Sequence, residues 1–107
     1  MTTYPAPEII VLSPKDPADI TDYQIDFSNV IPNDTISSIP TVGITLAGTN
    51  LTLIITEVQN GKGGTNKSAS MRLSGGVSGT NYQIKATILT LAGDTFARSV
   101  IIPVESL

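Results

Sequence analysis

Leu73-Ser74-Gly75-Gly76-Val77-Ser78-Gly79-Thr80-Asn81-Tyr82-Gln83-Ile84-Lys85-Ala86-Thr87-Ile88, running on through Leu89-Thr90-Leu91-Ala92-Gly93, carries the clearest structural signal in the chain. Tyr82, Ile84, Ala86 and Ile88 alternate with Gln83, Lys85 and Thr87. A period of two is the mark of a strand with one buried face. Ser74-Gly75-Gly76 and Ser78-Gly79-Thr80 precede it as a tight corner, since glycine adopts positive φ without steric penalty. Ala92-Gly93-Asp94 closes it as a hairpin turn. The unit is turn, long strand, turn.

The same grammar extends outward in both directions. Tyr23, Ile25 and Phe27 alternate with Asp22, Gln24 and Asp26; Val42, Ile44 and Leu46 with Thr41, Gly43 and Thr45. Leu51, Leu53 and Ile55 alternate with Thr52, Ile54 and Thr56, and Ala69, Met71 and Leu73 with Ser70 and Arg72. Phe96, Val100, Ile102 and Val104 close the chain. Fourteen threonines and fourteen isoleucines supply the β-branched side chains that suit a pleated surface. Nowhere do apolar residues recur at helical spacing for three turns. Pro32-Asn33-Asp34, Ala47-Gly48-Thr49-Asn50 and a glycine-rich loop from Asn60-Gly61 through Ser68 punctuate the strands. About seven short strands in roughly 100 residues fit an all-β, immunoglobulin-like antiparallel β-sandwich better than a barrel.

Within that frame the Gly79-to-Ala86 run resembles the fibronectin type III pattern around its penultimate strand. There a tyrosine at the start of the strand buries its ring and bonds a backbone group across the corner. Tyr82 and Gly79 are therefore read as a structural corner, with a plain core aromatic as the other reading of Tyr82.

Composition removes much chemistry. The 107 residues include no cysteine, histidine or tryptophan, which excludes disulfides, thiol catalysis and histidine-based triads. A net charge of -3 argues against nucleic acid, whose binders present a basic face. The start of the chain lacks a basic and apolar leader, and the longest apolar runs, such as Ile9–Leu12, fall far short of the ~20 residues that cross a bilayer. A soluble product of a cytosol, with no membrane partner, is expected. Gly61-Lys62-Gly63-Gly64-Thr65-Asn66-Lys67-Ser68 is not a phosphate loop. Asn66 stands where glycine must precede the Lys-Ser pair, and the next residues are strand-like rather than helical. Asp22 and Asp26 share one strand face about 13 Å apart, beyond the ~5–9.5 Å of hydrolytic carboxyl pairs. Asp22, Asp26, Asn33 and Asp34 offer oxygens to calcium, yet no loop has EF-hand spacing. Three Asn-x-Ser/Thr triplets, at Asn33, Asn50 and Asn66, mean little without a secretion signal. No catalytic, cofactor-binding or metal-binding residue is expected, and no cofactor.

Charge and punctuation are uneven. Six of seven prolines lie in the first 40 residues, and residues 1–34 hold six acids against one lysine. The chain divides into an extended N-terminal arm, 1–18, and a sandwich domain, 19–107. Glu8 to Leu12 is apolar and β-prone, with Pro5, Pro7 and Pro14 keeping it extended. Such an arm can lie as a strand along a neighbour's sheet edge, with Ile9, Ile10 and Val11 as the contact residues. The competing reading makes Ile9–Leu12 the first strand of its own sandwich.

Read in order, Ser13-Pro14-Lys15-Asp16-Pro17, Asp22-Tyr23-Gln24-Ile25-Asp26-Phe27-Ser28, Pro32-Asn33-Asp34-Thr35-Ile36, Leu73 to Tyr82 and the Thr90–Asp94 hairpin resemble the fiber-tail adaptor family of small tailed-bacteriophage virion proteins. The likeness covers about residues 13–104. Phe27 stands where the family has tryptophan, Asn33 where it has glycine, and Asp94 where arginine is common. The resemblance implies a non-enzymatic Ig-like module, made in the bacterial host cytoplasm, that links tail fibres to the tail or neck. It also implies several symmetric copies in the virion and, as partners, tail or neck proteins and a tail-fibre protein. The alternative is a carbohydrate-binding or decoration module on a virion or cell surface. Sugar sites favour exposed aromatics, and Tyr4 is the clear exception to an otherwise inward-facing set.

Overall fold

The computed structural model describes residues 10–44 and 50–107. Seven strands run in chain order: β1 Ile10–Val11, β2 Ile20–Asp26, β3 Ile36–Ile44, β4 Leu51–Gly61, β5 Gly64–Gly75, β6 Thr80–Thr90 and β7 Thr95–Val104. They form two sheets, one ordered β1-β7-β6-β3 and the other β2-β5-β4. The fold is all-β and sandwich-like, as the alternation requires. Ile9, Leu46 and the Ala47-Gly48-Thr49 turn lie outside the described residues.

Burial follows the period of two. Ile84, Ala86 and Ile88 of β6 join Ala69, Met71 and Leu73 of β5 and Val100 and Ile102 of β7 in one core, and Tyr82 at the start of β6 is buried as well. Cross-strand pairs Tyr82–Ile102 and Ile84–Val100 bury both members. Each such side chain contributes about 1.5–3 kcal/mol of transfer free energy. Phe27, Ile31 and Ile36 plug one end of the sandwich. The chain bends there because the amides of Val30 and Ile31 both donate to the Phe27 carbonyl.

Three expectations of the sequence are revised by packing. β3 begins at Ile36, before Pro40, rather than at Thr41. Proline is admissible because β3 is an edge strand and its ladder to β6 is irregular around that residue. The glycine-rich loop expected through Ser68 is a tight hairpin, with Gly61 opposite Gly64 and Gln59 opposite Ser68. Finally, β4 carries a bulge between Leu53 and Ile55. Leu53 pairs with core-facing Leu73, but Ile55 pairs with outward Arg72. The extra residue shifts the phase, so Thr56 and Val58 turn inward and Ile55 leaves the apolar face.

Candidate docking surfaces

Ile10 and Val11, assigned from sequence to a contact arm, form a parallel ladder with Val100 and Ile101 of their own chain. Leu12 continues it by donating its amide to the Ile101 carbonyl at 2.8 Å. Val11 nevertheless leaves its side chain 61% exposed. β1 thus closes part of the β7 edge while presenting an apolar side chain outward.

Lys15 deepens that attachment. Its backbone bridges Val104, taking the Glu105 amide on its carbonyl and giving its own amide to Pro103. Its side chain is fully buried, and the Nζ donates to the carbonyls of Gly75 at 2.7 Å and Asp16 at 2.9 Å. Burial pulls this amine below its ordinary pKa, against the opposing charges of Asp19 and Asp16. The lysine ties the N-terminal segment, the end of β7 and the glycine corner into one pole.

The corner itself is held from the other side by Tyr82. Its ring is wholly buried, and the Val77 amide donates to its hydroxyl at 2.8 Å. Gly79 adopts φ +85 and donates its amide to Val104 at 2.7 Å. Positive φ there lets the chain reverse into β6.

At the opposite pole the β4–β5 hairpin is bolted down by polar side chains. Lys62 N–H donates to Asp26 Oδ2 and Gly63 N–H to Ser28 Oγ, each at 2.8 Å, while the Ser28 hydroxyl bonds Asp26. Burial works to raise the Asp26 carboxyl, but the donors from Lys62 and Ser28 together outweigh it and hold the group low. Lys67, almost buried, caps the Ile31 and Pro32 carbonyls at 3.0 and 2.7 Å. Asp34 is held low by the Thr35 amide, with the Thr90 hydroxyl and the Ala92 amide assisting. The acids singled out from sequence therefore have separate local partners, Asp22 pairing with Arg72 at 3.2 Å. Among the described residues no three acidic side chains gather at one place.

The outer face of the β2-β5-β4 sheet is a grid. One row is Asp22, Arg72 and Ile55; the next is Gln24, Ser70 and Glu57; the third is Asp26, Ser68 and Gln59. Ser68 lies at its floor, donating to the Ile25 carbonyl at 3.1 Å. A cavity of about 100 Å³ opens between Asp22, Ile55, Glu57, Ser70 and Arg72. Sequence reading missed this site because it exists only through the bulge, and Ile54-Ile55 looks like any β-prone pair. Ile54 and Ile55 are 52% and 50% exposed, a pair of apolar side chains on an edge strand.

A protein-family model described as the podophage GP4 fiber-tail adaptor protein gp77 matches residues 15–103. No curated protein matches the sequence.

Proposed function

The chain belongs to the podophage GP4 fiber-tail adaptor family, a family of phage structural proteins, and from that premise we propose that it links tail fibres to the tail or neck without catalysing a reaction. The family match over nearly the whole described body carries this reading. The geometry supports it: polar side chains lock both poles of the sandwich, while Val11 and the Ile54-Ile55 pair stand exposed on strands at sheet edges. A rigid body with apolar side chains along its edges suits docking between other subunits.

The strand order also supports the immunoglobulin-like reading of the fold. Lettering β1 to β7 as A to G makes the two sheets B-E-D and A-G-F-C, the grouping of that sandwich apart from the shift of A beside G. Against a sugar-binding module, Phe27 and Tyr82 are buried and Tyr23 and Phe96 half-buried. None of these four is a fully exposed aromatic of the kind on which a sugar stacks. Tyr4 lies outside the described residues.

Several symmetric copies in the virion, assembled after synthesis in the host cytoplasm, complete the proposal. The test is a phage lacking this gene, imaged by electron microscopy. Tails without fibres, restored by supplying the protein in trans, are the expected result. Normally fibred particles would refute the adaptor role.

A further inference from the structure

The bulge in β4 does more than relieve a strand edge: it sets one apolar side chain, Ile55, into a polar face beside a cavity. Three charged groups surround that cavity. Arg72 is paired with Asp22, and Glu57 accepts the Gln59 side-chain amide at 2.8 Å on Oε2. A carboxylate has room for about four hydrogen bonds, so Glu57 retains acceptor capacity. The rim carries one net negative charge. Ser70 forms the floor; it is 6% exposed, and its hydroxyl makes no hydrogen bond among the described residues. No fully sealed side-chain polar atom among them is left without a partner, so this hydroxyl opens into the cavity rather than into the core. A nearly buried hydroxyl gains from a partner there, and the space is large enough for a side-chain head group.

We propose that this cavity takes the lysine or arginine side chain of a partner protein's extended segment lying along β4. An anion is disfavoured, because the only guanidinium on the rim already has its carboxylate and a second carboxylate stands opposite. A cationic head satisfies Glu57 and Ser70 together, and its methylene stem packs on half-exposed Ile55. β4 is an edge strand; a strand added to it lies about 4.8 Å away, within reach of a long basic side chain crossing into the cavity. This rests on the adaptor reading, since it names the chemistry by which the module recognises a neighbour.

Two experiments test it. In the first, Nα-acetyl-lysine methylamide is titrated into the isotope-labelled full chain and amide shifts are followed by NMR. Shifts centred on Ile55, Glu57, Ser70 and Arg72 are expected. They should weaken about threefold in Glu57→Gln and vanish with the Nε-acetylated analogue. Absent or scattered shifts, or equal response to the acetylated analogue, overturn the proposal, as does a response at the cavity to a neutral monosaccharide instead. In the second, gene-deleted phage is complemented with Glu57→Lys, whose thermal midpoint is first checked against wild type. Loss of the protein from particles by about tenfold or more is expected. Wild-type incorporation of Glu57→Lys overturns the cavity's role while leaving the adaptor reading intact. That reading fails only if the deletion itself leaves fibres attached.

Discussion

Replacing Tyr82 by phenylalanine removes one oxygen atom and leaves the buried ring in place. The lost group is the hydroxyl that accepts the Val77 amide at 2.8 Å. Stranding a donor costs about 1–3 kcal/mol when it stays dry. Val77 is 42% exposed, so water can reach part of this corner and the loss should fall near the lower end, about 1–2 kcal/mol. For a chain of this size each kcal/mol lowers the melting midpoint by roughly 4–8 °C. Urea unfolding of the two proteins, followed by circular dichroism, measures it directly. The midpoint should drop with the m-value unchanged, because no additional surface is exposed. A control, Tyr82→Ala, also removes ring volume from the core and should cost about 3–5 kcal/mol. A Tyr82→Phe change within about 0.3 kcal/mol of wild type would show that ring packing alone holds the corner and that the hydroxyl contributes nothing.

Lys15→Met keeps the aliphatic stem but strands the Gly75 and Asp16 carbonyls. Charge-assisted bonds are worth about 1.5–3 kcal/mol each, and relief of the buried amine offsets part of this. A net loss of about 1–3 kcal/mol in denaturant unfolding is expected. Gly75→Ala, at φ +76 and with its new Cβ driven into the Asn50 carbonyl, should lose about 2 kcal/mol or more in the same assay. Asp16, Asp26 and Asp34 are all held below the ordinary carboxylate range in the folded chain. Depressed folded values mean that their stabilisation is fully present above about pH 4 and is lost as acid protonates them below it. Unfolding midpoints measured from pH 7 down to 2 should show that fall. Asp26→Asn should start lower at pH 7 and decline less steeply.

Strand identity was legible because most of this fold obeys one rule. β6 reads in, out, in from Tyr82 to Thr90 without a break, and the structure buries that set. The Thr90–Asp94 hairpin was equally plain, since Gly93 supplies the positive φ the turn demands. What escaped depends on contacts distant in sequence. Nothing near Lys15 announces that its amine will meet a carbonyl sixty residues away, and a lysine is by default read as solvated. Lys67 was lost in an apparent loop for the same reason, its partners Ile31 and Pro32 lying on another turn. The β4 bulge escaped because two consecutive isoleucines fit either phase, and only the β5 register decides between them. The cavity vanished from the sequence reading along with that bulge.

β1 runs parallel to β7, and the bonds of Leu12, Lys15 and Glu105 extend their pairing. Parallel neighbours at the two ends of a folded body respond to traction in a particular way. Pulling Ile10 and Glu105 apart slides one strand along the other, so these bonds share the load at once rather than parting in succession like a zipper. A force applied between those two points would load this seam before the sandwich behind it yields.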